Sequence, residues 1–388
     1  MGAGSWVREY AVQVETIVAA DGLESLLATA DSTSVTFGAT KIGIGGDGTT
    51  AGKFKLLLQN KPDLVSSTGV KESEKASGTA DQISEDIVET IAEPSRFAPE
   101  MHANSYIVSL FMQLMCQTGS SDVLVGSVMR DRFAPYSKID VTYYGAFMGK
   151  VQKLNGVVDE CQLMRGCLPS SVKLSAAEGD VLTLTADLMG AKWSNSFAGT
   201  GVPATAQGIL KIAFLKWQNA KVYIDDAYAT PADPTTNLKT SIDDATCKLN
   251  ARGFEVTFSN NLKADFYNSE NVMQFTLGKY KVEGSLDIPW VVPSLVNEAQ
   301  VYYWKHISDF RAGIVKHIKI WWDNKDATTE NSLVIDMYVK YKSGTLEAAE
   351  SLENKMTFGC VQPKDGTSSC VVYCGHLNAN LDRGLPAL

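Results

Sequence analysis

No run of about 18 consecutive apolar residues occurs in this chain of 388 residues, so no membrane-spanning helix is expected. Basic side chains are in the minority: 35 Lys and Arg stand against 44 Asp and Glu, giving a formal net charge of −9. A general nucleic-acid binder neutralises phosphates with clustered Lys and Arg, so this balance argues against that class. Histidine is scarce. Of His102, His306, His317 and His376, the first borders a helical stretch, the second sits on an aromatic stripe and the third alternates within a strand. No serine has a nucleophile-elbow context and no carboxylate pair is singled out by spacing, so no enzyme is expected and no catalytic residue is assigned. The seven cysteines are odd in number and scattered, which fits reduced, packed thiols better than a disulfide framework. The first residues lack the basic-then-apolar plan of a secretory signal, and Gly2 with Trp6 does not complete a myristoylation pattern. Synthesis and use from the cytoplasm is the expectation.

Three motifs are present in spelling but not in context. Gly43-Ile44-Gly45-Gly46-Asp47-Gly48 satisfies GxGxxG, yet Thr49 to Phe54 starts no helix whose N-terminus would hold a pyrophosphate, so a flexible loop is the reading. Cys360, Cys370, Cys374 and His376 have the right chemistry for zinc but not the spacing of a closed site, and packed or surface thiols are favoured. Neither a metal nor a cofactor is expected. The clusters Tyr302-Tyr303-Trp304 and Trp321-Trp322 lack the basic interleaving of a base-stacking surface, which leaves core packing or a subunit interface.

Composition is that of a folded protein, 45% hydrophobic and 20% charged, and the length suits two units of similar size. Val7 to Ile17 alternates loosely and is read as a strand or an arm. The segment from Asp63 to Glu93 is polar and acidic, either a solvated loop entering a strand or an excursion reaching a neighbouring subunit. A helix follows, with Asn104 or Ser105 as N-cap, Ile107, Leu110, Phe111, Leu114 and Met115 on one stripe, and Gly119 near its stop. From Ser194 to Gly208 the composition becomes that of a linker. Strand-like runs then recur at Ile209 to Leu215, Lys221 to Ile224, Phe254 to Ser259 and Tyr280 to Ile288, ahead of a second helix near Asn297 to Phe310 and further strands to Phe358. Two helices half a chain apart, each between strands, predict a duplicated domain, residues 1–200 and 201–388. The alternative is a single large β-sandwich.

The most regular stretch is a β-hairpin. Val172, Leu174 and Ala176 alternate with Ser171, Lys173 and Ser175; Ala177-Glu178-Gly179-Asp180 turns the chain; Leu182, Leu184, Ala186 and Leu188 then alternate with Thr183, Thr185 and Asp187. Such a hairpin needs a larger sheet to cover its oily face. Arg165-Gly166-Cys167, this hairpin through Met189-Gly190, and Gly253-Phe254-Glu255-Val256-Thr257-Phe258-Ser259-Asn260-Asn261-Leu262 resemble tail tube proteins of long-tailed viruses of prokaryotes. The similar regions span about Asn104 to Trp193 and Gly253 to Trp322.

The resemblance implies a mainly β fold, each domain a curved sheet or β-sandwich with one flanking helix, and two tandem tail-tube-like domains closing into a β-barrel ring on oligomerisation. It implies a structural virion protein of the tail, assembled in the host cytoplasm. Homotrimeric, pseudo-six-fold rings would stack into the tube that conducts viral DNA without specific binding. The other expected partners are tape measure, terminator and baseplate proteins. Ser171, Lys173, Ser175, Thr183, Thr185 and Asp187 are the candidate lumen-facing residues, with Lys316 to Trp322 and Leu333 to Tyr341 their counterparts in the second half. The other readings are a baseplate or terminator ring, or an extracellular β-domain adhesin or shell protein.

Overall fold

In a computed structural model the described residues are 7–16, 23, 41–42, 54–56, 58–60, 68–72, 87–117, 119–123, 128–135, 141, 143–152, 160–198, 213–225, 248–267, 272–289, 311–325, 330–348, 352–362 and 368–377. The principal strands are β1 (Val7–Thr16), β2 (Glu100–His102), β3 (Tyr143–Gln152), β4 (Glu160–Ala177), β5 (Thr183–Gly190), β6 (Lys192–Ala198), β7 (Ala220–Asp225), β8 (Gly253–Ser259), β9 (Lys281–Pro289), β10 (Val315–Lys325), β11 (Glu330–Ala348), β12 (Leu352–Cys360) and β13 (Cys370–Leu377). One α-helix of any length, α1 (Ser105–Cys116), is present among the described residues. The expected second helix, the Gly-rich loop at 45–52 and the cluster at 302–304 lie outside them.

The long strands β4 and β11 organise everything else, because each serves two ladders. The first part of β4 pairs with β3 on one side and β6 on the other. Past Gly166, whose φ of +61° only glycine adopts readily, and past a bulge between Pro169 and Ser171, it pairs instead with β5 and β8. Strand β11 repeats the scheme: β10 and β13 flank its first part, and after a bulge between Tyr341 and Ser343 it continues against β12. As β1 lies on β3, so β7 lies on β10. The ladder β8–β9–β12 joins the two arrangements, and all belong to one sheet of 19 strands.

The expected closure into a β-barrel is corrected by this topology. Among the described residues β11 beyond Tyr341 pairs with β12 alone. Leu58 and Gln59 bind β2 at the opposite margin, and no pairing joins the two margins, so the sheet is open. Closure requires the outermost strands to satisfy each other's backbone groups, and among the described residues they do not pair. What stands is a mostly β fold with one α-helix of any length among the described residues. The linker reading also shifts, since β6 occupies Lys192–Ala198. Within the acidic stretch, Thr68–Glu72 and Ile87–Ala92 pair as a separate two-stranded sheet.

The helix begins at Asn104, whose Oδ1 accepts a hydrogen bond from the backbone N–H of Ile107 at 3.1 Å. It stops two residues before Gly119, at Gln117 in the left-handed region with φ +56°. The Gln117 side-chain amide explains this early stop: it donates to the carbonyls of Leu114 and Tyr143 at 2.7 and 2.9 Å and accepts from the N–H of Tyr143 at 2.9 Å. All of Ser105–Cys116 is buried, not one stripe, because β strands of both halves pack around it. Asn331 of β11 accepts from the N–H of Ser105 at 3.0 Å, tying the second half to the helix start. The core continues through Trp217, Phe254 and Trp322, whose ring centroids stand 5.2 to 6.1 Å apart.

Two stability effects follow. Asn104→Ala removes the cap and lowers stability by about 1 kcal/mol, read as a shifted denaturation midpoint, while Asn104→Asp retains most of it. A Cβ at Gly284 would lie 2.4 Å from the Glu255 carbonyl oxygen and 2.7 Å from the Phe358 ring. Gly284→Val is therefore expected to cost about 2 kcal/mol by overpacking, and an unchanged midpoint would contradict the tight approach.

Candidate functional site

Period-two alternation gives the β4–β5 hairpin two different faces. Val172, Leu174, Ala176, Leu182, Leu184, Ala186 and Leu188 are buried in the main core. Gly179 takes φ +85° in the turn, and Asp180 N–H donates to the Ala177 carbonyl at 2.9 Å. The six candidate residues lie together on the opposite face as three cross-strand pairs, Ser171 with Asp187, Lys173 with Thr185 and Ser175 with Thr183, all half-buried. Ser170, at the bulge, donates to the Asp187 carboxylate at 2.8 Å.

Strand register extends that face well beyond the hairpin. One row reads His102, Thr183, Ser175, Glu255, Ser285, Thr357, Ser343 across β2, β5, β4, β8, β9, β12 and β11. The next reads Glu100, Thr185, Lys173, Thr257, Glu283, Gly359, Lys340, and a third Asp187, Ser171, Ser259, Lys281. Neighbouring strands stand about 4.8 Å apart, so hydroxyls and charges lie close along these rows, hydroxyls prevailing in the first and charges in the second. Ser343 and Thr357 hydroxyls meet at 2.5 Å.

Three lysines of this face meet two of its carboxylates. Lys173 Nζ lies 2.8 Å from Glu255 Oε2, a diagonal contact between β4 and β8. Glu283 on β9 receives two ammoniums, Lys281 at 2.6 Å and Lys342 from β11, whose stem lies over the space left by Gly359. Exposed pairs of this kind stabilise by only about 0.5 kcal/mol, so their main consequence is to offset lysine charge locally.

The second-half segments named from sequence lie elsewhere. Lys316 to Trp322 is buried throughout, and so is Leu333 to Tyr341 apart from Lys340. Ile318, Ile320 and Trp322 join the main core, while Trp321 packs with Tyr223, Val334, Val371 and Tyr373. The Lys319 ammonium stands 4.6 Å from the Trp321 ring centroid, and His317 pairs with Asp336. The polar rows of this half come from β8, β9 and β12 instead. Their signal was in the sequence, as Glu255, Thr257 and Ser259 alternate with Val256 and Phe258, and Lys281, Glu283, Ser285 and Asp287 with Val282, Leu286 and Ile288.

The strand that ends in Asn260-Asn261 also has a local explanation. Asn260 Nδ2 donates to the Pro169 carbonyl at 2.9 Å, holding β8 to the β4 bulge, and Asn261 takes the left-handed conformation at φ +48°. Near the hairpin turn the polar face dips into a concavity of about 420 Å³ lined by His102, Ser175, Thr183, Glu255 and Asp287 among others. His102 there is engaged by Gln59 Nε2 at 2.7 Å. Among the described residues no group of three His, Cys, Asp or Glu side chains is placed to hold a metal ion. Cys370 and Cys374 are buried, and burial pushes the Cys116 thiol up to about 12 despite its contact with Tyr280. The Cys116 thiol therefore stays protonated, which suits packing.

No described helix is long and apolar enough to cross a membrane. No curated protein matches the sequence. The family model described as phage tail tube protein matches residues 7–301, most of the length; the chain belongs to this family of structural, non-catalytic proteins.

Proposed function

We propose that this chain polymerises as stacked rings into a viral tail tube, with the polar rows lining the channel that passes DNA to the host. The observation that carries the reading is the recurrence of the strand-pairing scheme: β1, β3, β4, β5 and β6 in the first half, β7, β10, β11, β12 and β13 in the second. It supports two tandem units, residues 1–200 and 201–388, so that three copies make a ring of six similar units. In the virion the tube meets tape measure, terminator and baseplate proteins, after assembly in the host cytoplasm.

A wall of small hydroxyls and of lysines set against carboxylates has little hold on phosphate, as a conduit requires. Cysteine placed at Thr183 or Thr185 is expected to react with a bulky, membrane-impermeant maleimide polymer in the dispersed chain and to be protected in filaments. Equal labelling in both states would remove these rows from the lumen. Averaged end-on micrographs are expected to show three chains per ring; six would refute the tandem arrangement.

A further inference from the structure

The polar face has more lysine on it than its near-neutral character suggests. Lys173, Lys281 and Lys342 come from three strands, β4, β9 and β11, and all point to the side that carries the hydroxyl rows. Each ends on a carboxylate of the same face: Lys173 on Glu255 at 2.8 Å, Lys281 on Glu283 at 2.6 Å, and Lys342 also on Glu283. These side chains are 37% to 53% exposed, so they are not buried structural ions and are open to solvent and to any polyanion passing over them. Left without those carboxylates, three ammoniums on one continuous sheet would form a phosphate-binding patch.

We propose that Glu255 and Glu283 are the specificity-determining residues of this face: they occupy Lys173, Lys281 and Lys342 and so keep double-stranded DNA from being held. The inference rests on the reading of the face as a DNA conduit, and it names the residues that set its low affinity. Neutrality here is local. The net charge of −9 repels DNA at long range but fades beyond a Debye length of about 8 Å at physiological salt, so at contact the pairing decides.

The test uses the full-length chain, dispersed, with a fluorescent 20-base-pair duplex followed by anisotropy from about 50 to 200 mM salt. Glu255→Gln/Glu283→Gln is expected to bind at least about tenfold more tightly than wild type at the low end. Its salt slope should steepen by about 2 to 3, one unit per lysine freed. Adding Lys173→Gln, Lys281→Gln and Lys342→Gln should abolish the gain. Glu93→Gln/Glu178→Gln removes the same charge outside the rows and should bind as wild type does. The proposal is overturned if the first variant binds no better than wild type, or if the control gains equally, since net charge would then suffice. These are exposed polar replacements, and thermal melts check that the fold survives. Should a variant not fold, Lys173→Gln/Lys281→Gln/Lys342→Gln in the wild-type background decides: unchanged weak binding supports the proposal, and loss of measurable wild-type binding overturns it. Filament formation by wild type is scored separately by negative-stain microscopy, so failure of the tube reading is distinct from failure of this one.

Discussion

The seven-residue ladder between β4 and β8, Ser171 to Ala177 against Ser259 to Gly253, is the contact on which the architecture depends. It lies between strands 80 residues or so apart in sequence and makes one sheet of what would otherwise be two. Every backbone N–H and C=O of a sheet interior needs a partner, so β4 cannot end its service at β5 without exposing a row of polar groups over a hydrophobic core. The bend at Gly166 and the bulge at Pro169 let a single strand meet that obligation in two ladders, and Asn260 locks the second ladder by binding the Pro169 carbonyl.

Once that junction exists, the apolar faces of the two halves become one surface. Phe254 from β8, Trp217 beside β7 and Trp322 from β10 meet there, and Asn331 from β11 reaches the first turn of the helix. The helix is enclosed on all sides for the same reason. An amphipathic stripe predicts one buried face when a helix lies on one sheet, but α1 touches β3, β4, β11 and β13. Within the core Ser109 donates to Asp131, and Asn104 and Gln117 close the two ends.

Much of this was legible in residue order. The hairpin faces followed from strict alternation at Ser171 to Leu188, and the helix start from Asn104. The second half misled because alternation reports that a strand has two faces without reporting what covers them. Lys316, Lys319 and Asp336 fall in the segments expected to line the channel, yet they are buried, with Lys319 lying over Trp321 and Asp336 against His317. Bulges are the other obstacle. A single inserted residue reverses which parity faces the core, so strands of 18 and 19 residues cannot be read through from one end. Sheet closure was the expectation that failed outright, because it depends on where the outermost strands lie, which no local pattern encodes.

The division of labour between the two faces has a physical logic of its own. A strand pays the same backbone cost whichever way its side chains point, so the apolar face must supply the stability, and large rings and branched chains fill it. The opposite face is then free of that duty and can be chosen for what it repels or ignores. Thr and Ser suit it: Thr favours the extended backbone, both are short enough to leave a smooth surface, and hydroxyls are content with water. Where charge appears, Lys173 meets Glu255 on the neighbouring strand, and Glu283 takes Lys281 from its own strand and Lys342 from β11. A surface that is polar, short and internally paired remains wet without presenting a strong anchor to an anion. That combination is what separates a wall from a binding site, even when both are made from the same residue types.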